Sequence, residues 1–205
     1  MKTRVINVNS VGGGIDEALF QADLVAKAYH LSEKDSIHMR LLSEELMGML
    51  RSITGEMSAD FWVEEEGGRF ALHLLTRTRM NFDKRTELLK ASTTGKNAAA
   101  KGFMSKIRNM VEYWTMPESD GVPGMMSLGF TDMANPGSFW LAADSVDWTM
   151  KAYLAGVEER MKSDEQASEE WDELEKSIVA KLADDVSVGI SGGNVEMIIY
   201  KTFSA

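Results

Sequence analysis

Not one of the 205 residues is a cysteine. That removes disulfides, thiolate metal sites and cysteine nucleophiles together. Histidine is scarce as well: the three present, His30, His38 and His73, show neither HExxH nor any other ligand spacing. They read as a helix-end, a helix-surface and a strand residue rather than a zinc site. Positive charge is in deficit, with 22 Lys and Arg against 32 Asp and Glu and a formal net charge of −10. With no local basic cluster visible, a general nucleic-acid-binding surface is excluded. No apolar run approaches the ~18 residues of a spanning helix, and the start MKTRVINVNS has no apolar signal-peptide core. These absences point to a cytoplasmic protein without membrane association. Only three prolines occur, all between Met116 and Gly137.

What is present is a substantial apolar fraction, 44% of the chain, enough for one sizeable core. One domain spanning 1–205 is therefore expected. Thr3 to Asn9 reads as a strand, and SVGGG after it as a loop whose glycines permit unusual φ. Ile15, Ala18, Leu19, Ala22, Val25, Ala26 and Tyr29 recur at helical spacing, predicting a first helix from Ile15 to Leu31. Ser32, with Asp35 three residues on, resembles a capping box and precedes a second helix from Ile37 to Ile53. ADFWVEEEGGRFALHLLTRT gives two strand-like runs around Gly67 and Gly68, a hairpin signal.

At the other end, Trp171, Leu174, Ile178 and Leu182 predict a helix from Glu169 to Asp184. DVSVGISGGNVEMIIYKTF follows as a second hairpin around Ser191-Gly192-Gly193-Asn194. The stretch from about Met80 to Ser168 is less regular, with all the prolines and six glycines from Gly95 to Gly137. Phe103, Ile107, Met110, Val111 and Trp114 suggest one helix there, and Val146, Met150, Tyr153, Val157 and Met161 another. Its methionines and Trp114, Trp140 and Trp148 suit either an adaptable interface or a loosely packed core.

The order strand, helix, helix, hairpin, variable segment, helix, hairpin resembles the histidine-kinase-like ATPase (GHKL) domain, and most of all the bacterial anti-sigma-factor serine kinases. The likeness covers Thr3 to about Thr78 and Glu169 to Phe203. It implies an α/β (α+β) two-layer sandwich: a mixed β-sheet with the helices on one face, and 80–168 as an elaborated lid. The family's second helix carries a motif commonly written SEAxxN, and LSEELMGMLRS lies in the matching place. At i, i+4 and i+7 spacing, Ile37, Leu41, Glu44, Gly48 and Arg51 share a face opposite Leu42, Leu46, Met49 and Ile53.

The resemblance makes Glu44 the residue that activates or orients the attacking group and sets Arg51 near the phosphates of ATP or ADP. The magnesium-holding asparagine is replaced by Gly48, which has no side-chain oxygen for a hard cation. Gly48 also costs about 1 kcal/mol of helix propensity, which close approach of a backbone or ligand would account for. After the third strand the family has D-x-G-x-G, whose aspartate meets adenine; here LLTRTRMNFDKR offers Thr76 and Thr78. They are either base contacts or ordinary strand residues. ASTTGKNAAAKGF echoes the glycine-rich lid, where Lys96 or Lys101 would receive a phosphate, or else form a polar turn.

With both the magnesium ligand and the adenine aspartate replaced, the expected function is regulation by protein binding, in the manner of an anti-sigma factor, with efficient phosphoryl transfer lost. A sigma-factor-like or other regulatory partner follows, and a homodimer is compatible. The alternatives are an unusual ATP-binding kinase or ATPase with Glu44 as base, and a structural or oligomeric protein on the same fold.

Overall fold

The computed structural model describes residues 1–50, 58–78, 107, 111, 139–142, 145–160, 177–191 and 193–203. The first strand, β1, is short, Ile6–Asn9. The chain leaves it through a loop held by its own amide side chain: Asn9 Oδ1 accepts from the backbone N–H of Gly13 at 2.8 Å and of Val11 at 3.2 Å. Gly14, at φ 75°, caps helix α1, Ile15–Ala28, whose first turn carries Asp16 and Glu17 at the positive end of the helix dipole. Ala18, Leu19, Ala22, Val25 and Ala26 form its buried stripe.

The helix stops short of the expected Leu31 because His30 takes a left-handed φ of 53°. There the Leu31 N–H turns back to the Ala26 carbonyl at 3.0 Å, closing the last turn. Helix α2, Glu33–Met49, opens where its cap demands, one turn before the expected Ile37. Ser32 Oγ accepts from the Asp35 N–H at 3.1 Å and donates to the Asp35 carboxylate at 2.8 Å. Ile53, the last residue of the expected stripe, lies outside the described residues.

Strands β2, Ser58–Glu66, and β3, Arg69–Arg77, form the first hairpin. Its two-residue turn has φ 60° at Gly67 and 85° at Gly68, the paired positive angles that suit the twist of the flanking strands. Beyond the central stretch come β4, Phe139–Ala142, β5, Ser145–Thr149, α3, Met150–Arg160, and α4, Ile178–Leu182. The last hairpin is β6, Asp185–Ser191, with β7, Asn194–Thr202.

All seven strands join one sheet in the order β1-β2-β3-β7-β6-β5-β4. The expected mixed sheet is corrected: every described pairing is antiparallel. Two helices, α1 and α2, separate β1 from β2, so the chain reverses twice before returning and meets β1 head to tail. A single crossover helix would have made the pair parallel. Ile6, Val8, Phe61, Val63, Phe70, Leu72, Leu74, Val195, Met197 and Ile199 share one core with the buried stripes of α1 and α2. α1 touches β1 and β2, α2 touches β3 and β7, and α3 touches β5 and β6. Trp148 and Tyr153 join the same core, so the described helices cover one face of the sheet, as expected. The class is α+β.

Two further readings of the sequence need correction. Val146 is a strand residue of β5, not the start of a helix, and α3 begins only at Met150. Both conformations bury alternate or every-third residues over so short a run, and pairing with β6 decides for the strand. The continuous helix expected from Glu169 to Asp184 does not run through Ser177, which is extended (φ −77°, ψ 127°) and caps α4 by accepting from the Ala180 N–H. Trp171 and Leu174 lie outside the described residues. Ile107 and Val111 are helical and buried, in line with the helix read there.

Candidate functional site

Helix α2 has two faces because its apolar residues recur on one side only. Met39, Leu42 and Leu46 are fully buried against the sheet, whereas Ile37, Glu44 and Gly48 are exposed and Leu41 is half-buried. The row expected from the spacing is therefore a real outward face as far as Gly48; Arg51 lies outside the described residues.

On this face Arg40 is the organising residue. One of its terminal nitrogens donates to Asp23 of α1 at 2.7 Å, and its Nε lies 3.4 Å from Glu44 Oε1 one turn on. Glu44 is thus tied to a guanidinium rather than standing alone. All three side chains are a third or more exposed, so the network is weak as a stabiliser and its charges are screened. Asp23 was invisible to the sequence reading, because only packing of α1 on α2 brings it to Arg40. Ser43, next to Glu44, faces inward and donates to the Met39 carbonyl at 2.9 Å.

Gly48 has no neighbour within 4 Å of where a side-chain carbon would stand. Among the described residues, no helix packs closely enough on this position to account for the glycine.

Thr76 and Thr78 sit at the end of β3 on its helix-facing side, in register with Leu72 and Leu74, and both are buried. The Thr76 hydroxyl donates to the Ser58 carbonyl at 2.8 Å. The Thr78 N–H donates to the Gly193 carbonyl at 2.9 Å, fastening the end of β3 to the turn of the last hairpin. Glu44 and Gly48 thus lie on the outward face of α2, and the two threonines on the buried face of the sheet. Lys96 and Lys101 lie outside the described residues.

These groups fit magnesium–nucleotide poorly. A hard cation needs oxygen ligands; Gly48 offers none and Glu44 already holds Arg40. Among the described residues no cluster of three or more His, Asp or Glu is arranged to hold a metal. Thr76 and Thr78 are only 4% and 1% exposed, and the Thr76 hydroxyl proton is committed to Ser58.

The opposite face of the sheet carries a cluster that the sequence reading took apart as ordinary strand residues. Trp62 and His73 are cross-strand partners whose rings stack at 4.7 Å and 10°. Lys2 lies 4.5 Å over the Trp62 ring and 3.0 Å from Glu64 Oε1, and the Trp62 indole donates to that same oxygen at 2.8 Å. Donation from Lys2, then from Trp62, holds the Glu64 carboxyl below its ordinary value, with His73 adding to the effect. Across β3, Glu196 Oε1 lies 2.9 Å from His73 Nδ1. The alternation in GRFALHLLTR puts His73 on the side opposite Leu72 and Leu74. Its partners come from β2, β7 and the chain's first residues, which no spacing rule connects.

Comparisons of the chain with protein-family models, with curated proteins and with solved structures found no match. Among the described residues no helix is long and apolar enough to cross a membrane.

Proposed function

We propose that this is a histidine-kinase-like ATPase-fold protein that works in bacterial regulation by binding another protein, with nucleotide binding weak or lost. Support for the fold comes from the element order: one strand, two helices, a hairpin and a C-terminal hairpin, with α2 against β3 and β7. The observation that carries the loss of nucleotide chemistry is Thr76. Where the resembling family has an aspartate for adenine, this chain offers Thr76 and Thr78, both buried, with the Thr76 hydroxyl bonded to Ser58. Gly48 and the Arg40-bound Glu44 argue in the same direction, since phosphoryl transfer depends on positioned metal and charge.

A protein-binding role is supported by the outward side of α1 and α2. Phe20 and Leu24, one helical turn apart, are 58% and 48% exposed, and Ile37 of α2 is 52% exposed. Apolar side chains interspersed with the Asp23–Arg40–Glu44 charges make a surface of the kind partners cover.

Calorimetry and thermal melting with ATP and with ADP, each with and without magnesium, test the first half. The expected result is no binding heat and no rise in melting temperature. A ligand at about 100 times its dissociation constant would add about 2.7 kcal/mol, and seeing that would favour an ATP-binding kinase with Glu44 as base. A photo-crosslinker at Leu24 tests the second half: one discrete adduct is expected in the native cell, abolished by Phe20→Asp. No adduct would overturn the binding role.

A further inference from the structure

We propose that His73 is a proton-operated latch on the outer face of the sheet, whose protonation at Nε2 draws Glu64 away from Lys2 and Trp62 and loosens the first residues of the chain from β2. The geometry fixes the starting tautomer. Glu196 Oε1, 2.9 Å from Nδ1, is a carboxylate oxygen and can only accept, so Nδ1 carries the proton of the neutral ring. Nε2 is then a bare lone pair. It is buried without a hydrogen-bond partner, and Glu64 Oε2 lies 3.9 Å from it. An unpartnered buried nitrogen facing a carboxylate is an unfavourable arrangement that one proton reverses.

The proton comes from solvent, no covalent bond between heavy atoms changes, and Nε2–H becomes a donor to Oε2. The imidazolium then has Glu64 of β2 on one side, Glu196 of β7 on the other, and the stacked Trp62 face beside it. Lys2 is a third charged group at this site. Glu64 is the shared element, because its Oε1 accepts from both Lys2 and the Trp62 indole. Its carboxyl is held below the ordinary range, so it stays ionised while the histidine changes charge. As Glu64 closes the gap to Nε2, its bonds to Trp62 and Lys2 lengthen. The segment Met1–Thr3, tied to β2 by Thr3 N–H to Val63 O at 2.9 Å and Glu65 N–H to Met1 O at 2.8 Å, loses the Lys2–Glu64 contact, while Thr3 Oγ1 keeps accepting from the Val63 N–H at 2.9 Å.

The test is nitrogen–proton NMR of the full chain between about pH 8 and pH 5, the window in which histidine changes charge. Trp62→Phe identifies the Trp62 indole signal, which reports directly on Glu64. In the wild type that signal is expected to move in step with the His73 ring, and protection of the Thr3 amide against hydrogen exchange to fall several-fold. In His73→Gln both changes should vanish. In Glu64→Gln the His73 ring should still respond to pH while the Trp62 indole no longer follows it. An indole signal that stays fixed in the wild type, or that moves equally in His73→Gln, overturns the latch. So does Thr3 protection that is independent of pH.

Discussion

The Asn7 carbonyl oxygen lies 2.1 Å from where a side-chain carbon on Gly14 would stand. Gly14 is also at φ 75°, so two separate constraints, contact and backbone conformation, select glycine there. This contact sets the start of α1 directly against the β1 backbone. Gly14→Ala is expected to destabilise by about 2 kcal/mol or more, read as a lowered urea midpoint at unchanged slope.

Gly48 should behave in the opposite way. It lies within α2 with open space around the missing side chain. Gly48→Ala is expected to raise stability by about 0.5–1 kcal/mol through helix propensity alone. A loss on chemical denaturation would show that something must approach this position closely.

The Arg40 network should contribute little to folding. Arg40→Ala and Glu44→Ala are each expected to change stability by less than about 0.5 kcal/mol, with the difference shrinking further in high salt. Loss of partner crosslinking in either variant, at unchanged melting temperature, would separate a binding role from a folding one.

Asp184 gives a pH dependence with a definite sign. Burial works against its charge, but donation from Lys201 at 2.9 Å and from the Thr202 backbone and hydroxyl outweighs it, so its carboxyl lies below the ordinary 3.8. A depressed native value means that the group stabilises above the unfolded value and loses that contribution as pH falls through the native one. Asp184→Asn should therefore be less stable than the wild type at neutral pH. The two should converge as the pH drops below about 4, checked by denaturant melts across the acid range.

Much of the scaffold was legible because its signals are local. The Ser32–Asp35 cap, the Gly67-Gly68 turn and the period-two pattern of β3 are each decided within a few residues, by hydrogen-bond geometry or by allowed φ. Helix ends were read less well: the expected Leu31 end failed because a single residue, His30, goes left-handed, and Ser177 breaks a pattern whose apolar spacing runs straight through it. The β4–β5 hairpin was missed because Phe139–Ala142 and Ser145–Thr149 are too short to show a period of their own and are strands only through pairing, β5 with β6 and β4 with β5.

The candidate site divides along the same line. That Glu44 and Gly48 share an outward face of α2 follows from 3.6 residues per turn and the Leu42, Leu46 and Met49 stripe. The Arg40–Glu44 pair is an i, i+4 contact within α2, whereas the contact of Arg40 with Asp23 depends on two helices packing side by side. Sequence alone determined which residue types were absent, where the glycines must permit turns and which faces of α1, α2 and β3 go inside. These are properties of one backbone segment and its period. Only the tertiary structure decided that the sheet is antiparallel throughout, that Thr76 spends its hydroxyl on Ser58, and that Lys2, Trp62, His73 and Glu196 meet on one face. The residues concerned are far apart in the chain, and their meeting is settled by how the whole chain buries its apolar surface.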